Sequence, residues 1–198
     1  MRRIHYTESP CKSALNRVRG MPFTWSLNPY RGCTHSCHYC YARATHAHVG
    51  LNADEDFETR ILVKTNVVEV VQRELGARSG RREEVAIGTA TDPYQPCEGQ
   101  YRLMRGILES FAAHRTPASI VTKSTLVLRD LDLLVVLHAA AGARVSFTIT
   151  TLDLDIWRSV EPGTPPPAQR LRILQRLVEA GVPCGVFLAP VLPGLTDR

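Results

Sequence analysis

Five short apolar runs alternate with longer amphipathic stretches along this chain. Residues 23–27 (Phe-Thr-Trp-Ser-Leu) alternate apolar and polar positions, and residues 84–89, 119–123, 145–150 and 184–189 have the length and apolar content of strands. Between them lie helical patterns. Asn66 is placed to cap a helix running to Leu75, with Glu69 as its capping-box partner and Val67, Val68, Val71 and Leu75 as its stripe. Residues 100–114 put Leu103, Met104, Ile107, Leu108 and Phe111 on one side, residues 129–141 end at Gly142, and residues 168–180 carry Leu171, Leu174 and Leu177. Residues 46–60 are polar and mixed, read as helix and loop. Strand and helix alternating in this way predict an α/β fold with a parallel sheet and right-handed crossovers.

Two further stretches qualify that picture. Ser146, Thr148 and Thr150 share one face of the fourth strand and Val145, Phe147 and Ile149 the other. A hydroxyl face pointing inward suits a polar ligand, and a small-residue interior layer is the alternative. Pro165-Pro166-Pro167 predicts a fixed turn and not a domain linker. Residues 1–22 show little periodicity and are read as a loosely structured N-terminal arm, helical near residues 13–18, with Cys11 an ordinary thiol. Residues 23–198 are read as one core domain.

Composition changes the picture only a little. With 198 residues, 44% hydrophobic and 22% charged, the chain can bury one core and is not expected to be disordered. A net charge of +5 is compatible with nucleic acid or another anionic partner. Arg78, Arg81 and Arg82 around Gly80 read first as a solvated loop and second as a phosphate contact. The N-terminus lacks an apolar signal core, and no apolar run approaches the roughly 20 residues needed to span a bilayer. Six cysteines without a secretion signal indicate a reducing compartment, so a cytoplasmic protein with no membrane association is expected.

Candidate chemistry concentrates in residues 28–43, Asn-Pro-Tyr-Arg-Gly-Cys-Thr-His-Ser-Cys-His-Tyr-Cys-Tyr-Ala-Arg. Cys33, Cys37 and Cys40 have C-x3-C-x2-C spacing on a loop just past the first strand, where parallel α/β folds bind ligands. Three thiolates with no fourth cysteine nearby suit a four-iron cluster with one iron left open. Zinc, completed by His35, His38, His46 or His48, is the competing reading. A disulfide fits poorly, because three clustered cysteines cannot all pair. Thr91 and Asp92 leave the second strand, where Asp before Pro also starts an ordinary turn. Lys123 ends a buried strand and needs an anion or solvent there.

C-x3-C-x2-C with an aromatic residue before its last cysteine resembles the signature of radical S-adenosylmethionine enzymes. The longer string Asn-x-Tyr-Arg-Gly-Cys-x-x-x-Cys-x-Tyr-Cys-Tyr-Ala-Arg resembles the subgroup related to spore photoproduct lyase, as does Gly88-Thr89-Ala90-Thr91-Asp92-Pro93-Tyr94-Gln95. The resemblance implies a [4Fe-4S] cluster on Cys33, Cys37 and Cys40, and S-adenosylmethionine bound at its open iron. It implies reductive cleavage of that cofactor to a 5′-deoxyadenosyl radical, which takes hydrogen from a substrate of unknown identity, nucleic acid being the candidate class. By the same resemblance Tyr39 packs near the adenine, Thr91 serves the methionine end, and Lys123 meets the carboxylate. Ser146 contacts ribose or carboxylate, and Ala189 touches adenine. A low-potential electron donor of the flavodoxin or ferredoxin type is the implied partner. The implied fold is a partial (β/α)6 barrel; with five strands before Arg198, its last strand and C-terminal segment are expected to be missing, leaving an open strand edge.

One departure stands out. The lyases carry a hydrogen-donating cysteine at the end of the second strand, and Gly88-Thr89-Ala90 has no thiol there. Cys97 lies a few residues on as a substitute donor, with an incidental loop thiol as the plainer reading. A metal-stabilised nucleic-acid-binding protein without catalysis, holding zinc or a cluster, is the alternative function.

Overall fold

A computed structural model describes residues 3–77 and 82–197. The strands are β1 His5–Glu8, β2 Leu15–Arg17, β3 Trp25–Leu27, β4 Tyr30–Arg31, β5 Arg60–Val63, β6 Val85–Ile87, β7 Ala118–Thr122, β8 Ala143–Thr148 and β9 Cys184–Phe187. The α-helices are α1 Glu55–Thr59, α2 Val67–Gly76, α3 Glu98–Tyr101, α4 Leu103–Ala113, α5 Leu131–Ala141, α6 Leu154–Val160 and α7 Pro167–Glu179. Five strands run parallel in the order β3-β6-β7-β8-β9, and β2 adds antiparallel beside β3. This is the expected α/β architecture, a partial barrel whose strands are joined by helices. Among the described residues no helix is long and apolar enough to cross a membrane.

The pleat sorts the side chains. Val85, Ile87, Ile120, Val145 and Phe147 belong to the main core, together with Met104, Ile107 and Phe111 of α4 and Leu134 and Leu137 of α5. Each such fully buried side chain stabilises by roughly 1.5–3 kcal/mol. The alternate residues, Ser26, Ala86, Ser119, Val121, Ser146 and Thr148, therefore fall on the other face, which the helices leave free. The expected separation of hydroxyl and apolar faces on β8 is present.

The N-terminal segment departs from expectation. Residues 15–17 are not helical; they form β2, paired with β3, while β1 pairs parallel with β5. The expected capping box also fails. Asn66 makes no side-chain cap; its amide instead accepts from the Cys11 N–H at 2.8 Å and donates to the Cys11 carbonyl at 3.1 Å. Glu74 accepts from the Ala14 and Leu15 amides, the latter at 2.8 Å. These contacts hold residues 11–15 as part of the fold. A strand at residues 60–63 went unread because Ile61-Leu62-Val63 is too short to stand out beside its polar flank.

The expected helix at 100–114 is broken at Arg102, whose φ is +51°. The buried Glu98 carboxylate accepts from the Leu103 and Met104 amides at 3.0 Å each, so it caps a new helix, α4. Arg129 and the Tyr30 hydroxyl donate to the same carboxylate. The arginine run around Gly80 lies outside the described residues except for Arg82.

Candidate active site

The three cysteines sit beyond the carboxyl ends of β3, β6 and β7. Leaving β3, the chain pairs β4 with β5 and then turns sharply at Gly32, whose φ is +84°. A Cβ there would lie 2.9 Å from His46 and 3.0 Å from the Arg60 carbonyl, so only glycine fits. Asn28 and Arg43, at the two ends of the string, hold the loop. Asn28 donates to the Thr89 hydroxyl at 3.1 Å and accepts from the Ala90 amide at 2.9 Å, tying the loop to the β6 exit. Arg43 donates twice to the Cys37 carbonyl, at 2.9 and 3.1 Å, and pairs with Glu58 of α1.

Cys33, Cys37 and Cys40 all line one pocket of about 140 Å³, together with His35, Tyr41, Thr91, Asp92, Lys123 and Thr148. All six cysteines of the chain are free thiols. Among the described residues no three His, Cys, Asp or Glu side chains close on one ion-sized point. The donor set fits an iron–sulfur cluster nonetheless: three soft sulfur donors border one cavity. Burial pushes the Cys33 thiol well up and Cys37 to about 12, so these thiols stay protonated at neutral pH until a metal displaces the protons. Of the histidines weighed as zinc ligands, His35 lines the pocket, with Nδ1 3.2 Å from Asp92, and the others do not line it. His46 is buried against Phe57, with Nε2 3.1 Å from the Arg60 carbonyl, and His38 is exposed.

Two buried polar networks support the loop from either side. On the first, Asp92 accepts from the Thr122 hydroxyl and Lys123 amide at 2.7 Å each and from the Tyr94 amide at 2.9 Å, and its carboxylate lies 3.2 Å from His35 Nδ1. Burial alone would raise its pKa, but the His35 ring and these hydrogen bonds outweigh burial and hold it at about 2. Asp92 therefore links strands β6 and β7 to the cysteine loop, beyond the turn chemistry expected of it. Thr91 donates to the Gly32 carbonyl at 2.6 Å and accepts from Gln95 at 2.9 Å; Gln95 also donates to Gly32 and accepts from the Thr34 amide. The only hydroxyl proton of Thr91 is thus committed to the loop.

On the second side, Glu161 is buried between Tyr39, Thr150, Thr164 and Arg170, all of which donate to it. Arg170, from α7, also donates to the Thr148 and Pro165 carbonyls at 2.8 Å each. The Tyr39 hydroxyl is anchored this way, and Lys123 Nζ stands 5.6 Å from its ring centroid. Neither Glu161 nor Arg170 was legible as a site residue, because both are spaced like ordinary loop and helix surface positions. Gly163 packs directly on the cysteine loop: a Cβ there would lie 2.3 Å from the Thr34 carbonyl. Gly163→Ala should push the cysteine loop away, cost about 1–3 kcal/mol and lower iron uptake after reconstitution. Thermal melting together with iron analysis checks this.

Tyr39, Thr91 and Lys123 thus gather at the cysteine pocket or against it. Ser146 does not line it. Ser146 faces a second cavity of about 650 Å³ on the same sheet face, with Ser119, Arg144, Gly185 and Phe187. Ala189 meets the Tyr39 network through its carbonyl, whose oxygen lies 3.2 Å from the Thr150 hydroxyl. Cys97, the candidate substitute donor, lies away from the cysteines. It packs in the main core, is 3% exposed and does not line the pocket, and burial and then Glu98 push its thiol to about 12.

A parallel sheet bearing a three-cysteine loop over its strand ends defines a class of protein, and the comparisons agree with it. The radical SAM superfamily model matches residues 27–198, and the chain belongs to that superfamily. An uncharacterised Mycobacterium tuberculosis protein is 47% identical over 197 residues, covering 98% of this chain and 58% of its own length. One from Methanocaldococcus jannaschii is 27% identical over 195 residues, covering 98% of this chain and 71% of its own length. Among solved structures, spore photoproduct lyase complexed with dinucleoside spore photoproduct superposes with a TM-score of 0.71 at 18% identity. That match covers 95% of this chain and 52% of the lyase. The chain thus spans little more than half the length of its mycobacterial relative and of the lyase.

Proposed function

We propose that this chain is the cofactor-binding core of a radical S-adenosylmethionine enzyme, with Cys33, Cys37 and Cys40 holding a [4Fe-4S] cluster. The observation that carries the reading is the convergence of these three thiols on one pocket at the carboxyl ends of parallel strands, beside Lys123. When bound, the cluster and S-adenosylmethionine supply one-electron chemistry that ends in hydrogen abstraction from a substrate.

The chain's own residues bind, orient and exclude water. Lys123 has no ion-pair partner among the described residues and offers its ammonium to a carboxylate. Tyr39, fixed at its hydroxyl by Glu161 and Thr150, presents a rigid ring beside that ammonium. Thr148 and Thr91 complete the wall. The larger cavity bearing Ser146 and Arg144 is the candidate substrate chamber, and nucleic acid is the candidate substrate class, supported by the net charge of +5. A low-potential flavodoxin or ferredoxin supplies the electron, and the compartment is the cytoplasm.

The test is anaerobic reconstitution with iron and sulfide, followed by S-adenosylmethionine and dithionite. Release of 5′-deoxyadenosine is expected. Protein that carries its full iron and sulfide but yields none, or that purifies with stoichiometric zinc instead, overturns the reading in favour of a non-catalytic metal-stabilised binding protein.

A further inference from the structure

A third cavity, of about 230 Å³, lies on the opposite side of the cysteine loop. Its wall contains Asn16 of β2, Ser26 of β3, Arg31 of β4, Lys64 just after β5, and Thr45 and His48 from the 3-10 turn Tyr41–Val49. Thr89 and Ala90 line both this cavity and the cysteine pocket, so the two are neighbours.

Its electrostatics are unbalanced. The described wall contains an arginine, a lysine and a histidine, and no carboxylate. Arg31 donates to the Thr45 carbonyl at 3.2 Å and has no ion pair among the described residues. The Lys64 ammonium has neither a hydrogen bond nor an ion pair there. Burial, with the nearby Arg31 in the same direction, draws Lys64 below the usual lysine range, against a counter-effect from Cys11. By contrast, Arg170 is neutralised by Glu161, and Arg129 by Glu98 and Asp130. Two like charges facing a polar hollow cost stability unless an anion joins them.

We propose that this cavity binds a phosphate group, with Arg31 and Lys64 as its two cationic contacts. An arginine fork, a lysine point charge and neutral amides and hydroxyls from five chain segments surround the hollow on several sides, which suits a tetrahedral oxyanion better than a planar carboxylate. A phosphate held here would be anchored one wall away from the cysteine pocket. The inference uses neither the cysteines nor Lys123, so it stands or falls separately from S-adenosylmethionine cleavage.

Calorimetric titration of the reconstituted protein tests it, with inorganic phosphate, a dinucleoside monophosphate and a short single-stranded DNA as separate probes. Binding of inorganic phosphate in the roughly millimolar range is expected. Lys64→Met should weaken it roughly tenfold, since a hydrogen bond to a charged group is worth about 1.5–3 kcal/mol. The same variant should keep its iron, melt at or above the parent temperature, and lose the upward melting shift that phosphate gives the parent. Arg31→Gln should weaken binding similarly; because Arg31 adjoins Gly32 and Cys33, the decision rests on Lys64→Met. If the DNA binds more tightly than phosphate, and its log K against log salt slope falls by about 1 in Lys64→Met, the site takes a backbone phosphate. Equal affinity for phosphate and DNA assigns it to a free phosphate. Failure of all three probes to bind, or equal binding by parent and Lys64→Met, overturns the proposal.

Discussion

Replacing Cys37 with alanine is expected to abolish the visible absorbance of the reconstituted protein and all 5′-deoxyadenosine formation, while the fold survives. The thiol is buried, and its one hydrogen bond among the described residues is a long contact, 4.0 Å, to the His35 carbonyl. The residues that shape the loop act through other atoms: Arg43 on the Cys37 carbonyl, Gln95 on Gly32, Gly163 on the His35 carbonyl. Removing one sulfur leaves those in place, so metal-free protein should lose no more than about 1 kcal/mol. Iron and sulfide analysis with far-ultraviolet circular dichroism reads both halves of the expectation. Retention of a full cluster in Cys37→Ala would exclude Cys37 as a ligand.

Arg170→Met should act oppositely, through stability. Arg170 is 0% exposed and Glu161 1% exposed, so the substitution strands a buried carboxylate. Breaking such a pair typically costs about 3–5 kcal/mol. For a domain of this size each kcal/mol lowers the melting temperature by roughly 2–4 °C, so a fall of roughly 6–20 °C is expected. Adding Glu161→Gln to Arg170→Met should recover part of the loss, because the stranded charge is then gone. A melting temperature unchanged in Arg170→Met would show that the network carries no net stability. Because Glu161 also receives the Tyr39 hydroxyl, the single variant should further weaken S-adenosylmethionine binding.

The five barrel strands were readable because each buries one face against helices, and that demand imprints apolar runs of strand length. Strands β1, β4 and β5 were not, for each is two to four residues long and depends on a partner distant in sequence; β2 is three residues long and pairs with the nearby β3. The break at Arg102 has a different, local origin that apolar periodicity does not report: the Glu98 side chain folds back onto the Leu103 and Met104 amides and starts a new helix there. In the site, Lys123 announced itself as a charge at the end of a buried strand. Cys97, close in sequence to Thr91 and Asp92, packs in the main core and not on the pocket wall.

The amino-acid order alone determined the alternating α/β plan, the hydroxyl face of β8 and the three-cysteine loop, because periodicity and short-range spacing are local properties. The tertiary structure decided which side chains brace that loop. His35 with Asp92, Tyr39 with Glu161 and Arg170, and Arg31 with Lys64, which have no ion pair among the described residues, come together from positions 33 to 131 apart, by subtraction of their residue numbers. Burial then makes a partner obligatory for most of these charges, and only the folded chain reveals which of them has found one.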